Sequence, residues 1–152
     1  VPKGNPGKIG SLKDLARPGL KLVTTHPNVP VGKYTQTLLE KLAASPAYGS
    51  AYREAVKKNF RSLELNVKHV ASKVSLGEAD GGFVYDSDCT AKLGEAVIPL
   101  AIAPAYNVQA TYPIGVVTRA GHAADAARFI DFVRSAAGQA VLASFNFGPA
   151  AK

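Results

Sequence analysis

The turn from His26 to Tyr34 carries the backbone groups of this chain that are best suited to holding an anion. It joins an apolar strand candidate, Leu20–Thr25, to an amphipathic helix candidate, Lys33–Ala44. Two prolines in the turn, Pro27 and Pro30, keep its backbone extended, so we expect the helix to begin only after Pro30. The turn therefore places a helix N-terminus directly beyond the end of a strand.

The first N–H groups of this helix are the candidate anion donors. They belong to Val31, Gly32 and Lys33, which have no carbonyl partner inside the helix, and they point outward with the positive end of the helix dipole. An ordinary strand-to-helix turn with hydrated N–H groups has the same pattern, and such turns occur throughout α/β proteins. The sequence thus predicts an anion site in outline, with the ordinary turn as the alternative.

Two further strand candidates end in the same kind of junction. Ser62–Leu65 is followed by Asn66, a strong N-cap residue, and by the apolar helical stripe of Val67–Val74. Gly81–Tyr85 is followed by Asp86–Asp88, which supplies polar caps for a short helix. The carboxyl ends of parallel strands share one edge of the sheet, and ligands of open α/β folds bind at that edge. We therefore expect the three junctions to lie close together.

The reactive side chains form no recognisable catalytic or metal site. Cys89 lies near Asp86 and Asp88, but no Cys-His or nucleophile-elbow signature surrounds it, and the two aspartates are better explained as helix caps. The histidines lack the i, i+4 spacing of a metal site: His26, His69 and His122. We predict that the chain is not an enzyme and that it needs neither a metal nor a cofactor.

The rest of the chain predicts the fold class. Ala96–Ala103 and Tyr112–Thr118 are expected to be a fourth and a fifth strand, and two amphipathic helices follow His122, with apolar stripes over Ala126–Ala137 and Val141–Phe145. Alternation of strands and helices predicts an α/β fold with a mostly parallel sheet and flanking helices. No strand follows the last two helices for them to pack against.

Composition sets broad limits. The chain has 152 residues with 47% hydrophobic and 19% charged residues, which suits one soluble domain or a large piece of one. Its longest apolar run, Ala96–Ala105, is interrupted by prolines and too short for a membrane span. No basic-then-apolar leader opens the sequence, so we expect either a cytosolic chain or a processed exported one. The single cysteine leaves the redox compartment open.

The charge balance favours acidic partners without indicating nucleic acid. Eighteen Lys and Arg residues against eleven Asp and Glu residues give a net charge of +7. The basic residues are dispersed over the exposed faces of several helix candidates, with no arginine-rich run and no aromatic stacking platform between them. Solvated helix faces explain most of these charges, so no nucleic-acid partner is expected.

A set of short stretches resembles one protein family along nearly the whole chain. The chain resembles the molybdate- and tungstate-binding proteins of ABC importers, which are two-lobed solute-binding proteins of the type II periplasmic class. The stretches occur in the family's order: Gly4–Pro6, Ser11–Leu15, Pro30–Tyr34, Asn66–Val67, Gly77–Tyr85 and Tyr112–Val117. By resemblance, residues 1–118 are one lobe of that fold, the second. Residues 119–152 are C-terminal helices that normally pack on a first lobe, which is absent here.

The resemblance also implies a binding mode. Members of the family hold the oxyanion without a metal, through N–H groups at helix N-termini and a few hydroxyls. It implies that Val31 and Val67 donate their N–H groups, with Gly32 and Asn66 beside them, and that Tyr85 donates its phenolic O–H. Tyr85 is also well explained as a buried strand aromatic. Fixed dipoles of this kind suit a tetrahedral dianion. The serine hydroxyls and N–H groups of the first lobe are not present, so only half of such a site is present.

Two departures from the family leave the oxyanion open. The family commonly has Ala at the position of Val31 and an acidic residue at the position of Leu65. Tungstate is expected with molybdate, and uptake of a different oxyanion is the alternative. A third reading is the effector-sensing domain of a transcription regulator, which shares the fold but needs a helix-turn-helix segment that this sequence lacks.

The resemblance finally implies partners and a location. It predicts a membrane permease as partner and a periplasmic or extracellular location, with membrane association through that partner or a lipid anchor. Because the last two helices lack a sheet to pack on, we expect the isolated chain to self-associate through them or to fold them back on its own lobe.

Overall fold

The computed structural model describes residues 1–150, except for the side chains of residues 91–93. The chain forms two compact units, an N-terminal unit, Val1–Val108, and a C-terminal unit, Gln109–Lys152. The predicted α/β class with a parallel sheet and flanking helices is confirmed. The assignment of residues 1–118 and 119–152 to a lobe and its closing helices stays a prediction of the resemblance.

A three-stranded parallel sheet forms the centre of the N-terminal unit, in the order β2-β1-β3. The strands are β1 (Leu22–Thr25), β2 (Phe60–Glu64) and β3 (Gly81–Gly82). Thr25 pairs with Glu64, and the N–H of His26, just beyond β1, donates to the Glu64 carbonyl over 2.9 Å. The carboxyl ends of the strands therefore share one edge of the sheet, as the parallel arrangement predicts.

Four α-helices of the N-terminal unit connect or follow these strands: α1 (Pro30–Ala44), α2 (Gly49–Asn59), α3 (Val67–Ser75) and α4 (Ala91–Ala96). Two short 3₁₀ helices, Leu12–Ala16 and Asp86–Asp88, accompany them. The helices α1 and α2 form the crossover from β1 to β2, and α3 forms the crossover from β2 to β3. These crossovers place the start of α1 and the start of α3 at the same edge of the sheet.

The sheet has a packed core on each face. Leu22 of β1 belongs to a cluster with buried side chains of α1, α2 and the first 3₁₀ helix, whereas Val23 belongs to a second cluster with α3. Gly82 of β3 lies directly under α3, because a Cβ there would meet Val70 Cγ1 at 2.7 Å and Val74 Cγ2 at 2.9 Å. Only glycine permits so close a contact between α3 and the sheet.

The predicted fourth and fifth strands are wrong. Of the stretch Ala96–Ala103, only Val97 is paired, in an isolated antiparallel bridge to Pro2, and Tyr112–Thr118 has no strand pairing in the part of the chain that is described. An apolar run becomes a strand only where the N–H and C=O groups of a neighbouring strand pair with its own, and a proline inside each run, Pro99 and Pro113, removes one donor. Periodicity gave no information about the missing neighbour.

The third strand is shorter than predicted. Of Gly81–Tyr85 only the two glycines are in β3, and the last backbone hydrogen bond to β1 among the described residues is that of the Phe83 N–H to the Val23 carbonyl, over 3.2 Å. The residues that follow leave the sheet before Tyr85. The short helix predicted after them begins as the 3₁₀ helix Asp86–Asp88 and continues, after a break, as α4.

The C-terminal unit contains the two predicted amphipathic helices, α5 (Ala123–Arg134) and α6 (Ala136–Ser144). Their corner is tight: the Ser135 hydroxyl accepts the Gly138 N–H over 3.2 Å as an N-cap, and a Cβ on Gly138 would collide with the Phe132 carbonyl. No residue of α5 is buried. The apolar stripe of α5 therefore remains in contact with solvent.

Candidate functional site

Helix α1 begins at Pro30, three residues before the start of the helix candidate at Lys33, and Val29 is its N-cap residue. Proline suits this first position because its missing N–H would have had no partner in the helix. The earlier start also changes the set of free donors, since the Lys33 N–H donates to the Val29 carbonyl over 3.1 Å. The N–H groups of Val31 and Gly32 donate to no described residue, so they remain the candidate donors and Lys33 does not.

Two contacts fix the first turn of α1 on the end of β1. A Cβ on Gly32 would overlap the carbonyl oxygens of Thr25 and His26, so the helix approaches the strand end more closely than any other residue type would allow. The Thr35 hydroxyl donates to the Val31 carbonyl over 2.8 Å and lies 2.9 Å from the Thr24 hydroxyl. Since the Thr35 proton is used on Val31, Thr24 is the donor to Thr35. The Val31 carbonyl is thereby linked to β1 through the hydroxyls of Thr35 and Thr24.

The second junction, at the start of α3, is confirmed as a capped helix. The Asn66 side-chain oxygen accepts the His69 N–H over 3.0 Å, and the N–H of Val67 donates to no described residue. Asn66 is exposed and Val67 is half-buried. The geometry gives Asn66 the role of holding the helix start, and leaves the Val67 N–H as the available donor at this junction.

An ion pair fixes α3 to β2 behind this junction. Lys73 Nζ lies 2.6 Å from Glu64 Oε1, and the Ser62 hydroxyl donates to the same oxygen over 2.6 Å. These bonds to the charged form hold the pKa of the Glu64 carboxyl below its usual range. The negative charge of Glu64 is therefore matched by Lys73 and does not face an anion unneutralised.

The third junction places Tyr85 just beyond β3. Its N–H donates to Asp88 Oδ2 over 3.0 Å, as expected of a capping aspartate, and its side chain is half-buried. The Tyr85 ring meets the Tyr34 ring edge to face, with centroids 6.2 Å apart and an interplanar angle of 70°. Tyr85 therefore lies at the surface of the unit and is not a fully buried strand aromatic.

The structure brings together some of the predicted residues and not others. Val31 and Tyr85 line one small cavity of about 60 Å³, together with Tyr34 and seven other residues. Gly32 lines a separate, larger cleft of about 480 Å³ between α1 and β2, which contains neither Val31 nor Tyr85. Asn66 and Val67 line neither cavity. They follow β2, whereas Val31 follows β1, and these two strands are neighbours in the sheet. The first and third junctions thus converge closely, and the second lies beside them along the sheet edge.

Sequence reasoning missed Tyr34 as a residue of this site. Its spacing with Leu38 and Leu42 in the apolar stripe of α1 is that of a core residue, yet its side chain is half-buried and lines the cavity with Val31 and Tyr85. A helical stripe marks the face that turns inward, and it does not distinguish a residue packed in the core from one at the rim of a cavity. No other signal in the sequence identified it.

The groups at the strand ends are of a kind that suits anion binding. No group of three His, Cys, Asp or Glu residues within the described part of the chain is placed to hold a metal ion. Burial, with nearby Asp86, raises the pKa of the Cys89 thiol, which is the opposite of what a thiolate nucleophile needs. The groups that remain at the strand ends are outward N–H donors and a phenol, and such groups bind anions.

Comparison with known proteins identifies relatives of one kind. The family model described as bacterial extracellular solute-binding protein matches residues 1–148. "Molybdate-binding protein ModA" of Mycobacterium tuberculosis (strain ATCC 25618 / H37Rv) is 35% identical over 144 residues, covering 95% of this chain and 50% of that protein. "Putative ABC transporter substrate-binding lipoprotein YvgL" of Bacillus subtilis (strain 168) is 26% identical over 147 residues, covering 97% and 53%. The chain thus spans about half the length of the curated relatives it matches.

Two solved structures share the fold. The substrate binding domain of a putative molybdenum ABC transporter from Clostridium difficile superposes with a TM-score of 0.75 at 24% identity, covering 97% of this chain and 61% of that one. The structure of L-phospholactate-bound PEB3 gives a TM-score of 0.73 at 15% identity, covering 94% and 60%. At these identities the two structures establish the fold alone. Among the described helices, none has the length and apolar character needed to span a bilayer.

Proposed function

The chain belongs to the bacterial extracellular solute-binding proteins, and we propose that it supplies one side of a molybdate- and tungstate-binding site in the binding component of an ABC importer. The observation that carries this proposal is the convergence of a helix N-terminus and a phenol at one sheet edge, with Val31 and Tyr85 lining one cavity. The mycobacterial relative, named a molybdate-binding protein, supports the choice of ligand.

The binding mode follows from the donors. The Val31 and Val67 N–H groups are fixed at the starts of α1 and α3, where the helix dipoles favour negative charge. Fixed donors make charge-assisted hydrogen bonds to an oxyanion without first losing conformational freedom. The Tyr85 hydroxyl adds one donor from the third junction. No metal or other cofactor takes part.

Selectivity is expected from the number and spacing of these donors. A site arranged for a large tetrahedral dianion leaves donors incompletely paired when the smaller sulfate binds, and an unpaired buried donor is costly. Molybdate and tungstate should therefore bind more tightly than sulfate. We expect weak but saturable binding by the donors that this chain carries.

The same proposal includes location and partners. We place the chain outside the cytoplasm, in the periplasm or at the extracellular surface, delivering its oxyanion to a membrane permease. A lipid anchor is one means of membrane association, and the Bacillus relative is named a lipoprotein. The role is that of a carrier and not of an enzyme, in keeping with a Cys89 thiol whose pKa is raised. The effector-sensing domain of a regulator has only the shared fold in its favour.

Backbone-resolved NMR of the ¹⁵N-labelled chain tests the proposal. Sodium molybdate added at constant ionic strength should shift the amide signals of Val31, Gly32 and Val67 along saturating curves, and sodium sulfate should shift them less. Displacement of molybdate by sulfate or phosphate at comparable concentration would identify a different oxyanion. Shifts spread evenly over the exposed lysines would indicate unspecific ion binding and contradict the proposal.

Two substitutions at one position show whether the N–H itself is the donor. Val31→Ala keeps the N–H and should leave the molybdate curve almost unchanged. Val31→Pro deletes the donor and should remove about 1.5–3 kcal/mol of binding free energy, the cost of a hydrogen bond to a charged group. The full amide spectrum of each variant serves as the control for folding. Equal losses of molybdate affinity in both variants would contradict the N–H mechanism.

A further inference from the structure

We infer that Tyr34 is a positioning residue that holds the Tyr85 phenol in register with the Val31 N–H. This inference rests on the proposed function and deepens it, because it assigns a role at the same site to a residue that makes no predicted ligand contact. Tyr34, Tyr85 and Val31 line one cavity, and the rings of the two tyrosines meet edge to face.

The Tyr85 ring lies beyond the end of its own strand, so its support comes from other parts of the unit. β3 contains only Gly81 and Gly82, and the last backbone contact to β1 is made by Phe83. Beyond that point the Asp88 carboxylate accepts the Tyr85 N–H, which fixes the backbone. A phenolic oxygen lies far from its Cα, so a small rotation of the side chain moves the donor by a large fraction of a hydrogen-bond length.

Tyr34 supplies that support from the most firmly held part of the site. It lies one helical turn after Val31 on α1, whose first turn is fixed by the Gly32 contact with the strand end and by the bonds of Thr24 and Thr35. The edge-to-face geometry of 6.2 Å and 70° is a favoured arrangement of two aromatic rings. The pair therefore links the donor on α1 to the donor after β3.

Another tyrosine shows what a purely structural role looks like in this unit. Tyr52 is buried, its hydroxyl donates to the Leu12 carbonyl, and burial raises its pKa well above the ordinary range. Its neighbour Tyr48 meets it edge to face at 4.8 Å and lines neither described cavity. Tyr48 is thus a matched control: an aromatic pair of the same kind, half-buried, outside the site.

The first test needs no ligand. NMR spectra of the chain with ¹³C-labelled tyrosine rings should show the Tyr85 ring signals shifted by the neighbouring Tyr34 ring. Tyr34→Leu should move those signals and average the two sides of the Tyr85 ring, whereas Tyr34→Phe should leave them nearly in place. An unchanged Tyr85 ring in Tyr34→Leu would overturn the inference.

The second test is a double-mutant cycle read by the molybdate titration of Val31 and Val67 amides. Tyr34→Leu should weaken binding about two- to tenfold, the range expected for loss of an aromatic pair. Tyr34→Phe should bind like the unsubstituted chain. In a Tyr85→Phe background, Tyr34→Leu should have no further effect, because the hydroxyl that it positions is gone. Tyr48→Leu should lower the melting temperature without changing the titration.

The possible failures are distinguishable. A Tyr85→Phe loss with an unaffected Tyr34→Leu overturns the positioning role and leaves the proposed function standing. A Tyr34→Phe loss as large as that of Tyr34→Leu overturns it as well, since the Tyr34 hydroxyl would then be a ligand. The absence of any saturating shift at Val31 and Val67 overturns the proposed function and this inference with it.

Discussion

The two units of this chain differ in what their apolar side chains contact. In the N-terminal unit the apolar faces of α1, α2 and α3 are buried on both sides of a sheet, and the side chains of Leu22, Leu42 and Val56 are completely inaccessible. In the C-terminal unit, α5 is as clearly amphipathic but buries no residue. A helical stripe thus predicts a helix in both places and specifies its partner in neither.

The difference also explains where the candidate anion donors are found. In the N-terminal unit, strand ends and tight contacts fix helix N-termini so that their N–H groups can serve as donors. The start of α5 has no such support: its N-cap residue, His122, is exposed and makes no side-chain cap bond. Donors without a fixed position must be ordered by the ligand, and that ordering reduces affinity.

The largest expected effect concerns two exposed aromatic side chains of α5. Phe129 and Phe132 are 58% and 53% exposed, and burying such side chains is worth roughly 1.5–3 kcal/mol each. We predict that the chain self-associates through α5 and α6, with a mass that rises with concentration in light scattering. The double variant Phe129→Lys and Phe132→Lys should remain monomeric, and Arg128→Lys, on the same helix, should behave like the unsubstituted chain. Monomers at every concentration without substitution would refute this.

A matched pair of valines measures the contrast in stability. Val56 in α2 is fully buried, and Val56→Ala should cost about 2–3 kcal/mol through lost burial and the cavity left behind. Val141 in α6 is 55% exposed, and Val141→Ala should change the free energy of unfolding by less than about 0.5 kcal/mol. Denaturant unfolding followed by circular dichroism gives both values. Comparable losses at the two positions would mean that α6 is buried in solution, against the contrast drawn here.

The sequence predicted the parts of the site that local rules govern. Asn66 was recognised as an N-cap from its residue type and the stripe behind it, and its side chain does accept the His69 N–H. The convergence of the strand ends followed from the rule for parallel sheets. The start of α1 was placed three residues too late, at Lys33, because Pro30 was interpreted as a helix breaker and not as a favourable first helical residue.

The parts that depend on distant neighbours were not predictable. Ala96–Ala103 has the composition of a strand, but strand pairing is decided by residues far away in sequence, and here only Val97 found a partner. Tyr34 has the spacing of a core residue, and only the position of Tyr85, which follows a different strand, makes it part of a cavity. Information of this kind is contained only in the tertiary structure.

A third prediction concerns the ion pair that fixes α3 to β2. Lys73→Met removes the partner of Glu64 and should cost about 1 kcal/mol at neutral pH, since Lys73 is a third exposed and solvent screens the pair. The pKa of Glu64 is lowered in the folded chain. Its contribution is therefore present above the unfolded pKa of about 4.3 and is lost as the pH falls through the folded value.

Melting temperatures between pH 7 and pH 3 check this sign. The unsubstituted chain should lose stability on acidification through that window, and Lys73→Met should lose less, because its Glu64 pKa lies closer to the unfolded value. Parallel curves for the two proteins would show that other carboxylates dominate the acid response. The difference in melting temperature at neutral pH would then be the only measurable effect of the ion pair.

The last contrast distinguishes two neighbouring threonines at the end of β1. Thr24 and Thr25 are both buried, but the Thr24 hydroxyl is paired with that of Thr35, whereas Thr25 Oγ1 has no hydrogen-bond partner among the described residues. A buried hydroxyl without a partner costs about 1–3 kcal/mol, and a paired one contributes about 1 kcal/mol.

Valine has nearly the same shape as threonine and favours strands. Thr25→Val should therefore raise the melting temperature and Thr24→Val should lower it, each by roughly 2–4 °C per kcal/mol for a chain of this size. Since Thr24 holds Thr35, and Thr35 holds the Val31 carbonyl, Thr24→Val should also weaken the molybdate response of the Val31 amide. Thr25→Val should leave that response unchanged, because nothing in the first turn of α1 depends on its hydroxyl. Equal destabilisation by both substitutions would mean that the Thr25 hydroxyl has a partner in solution.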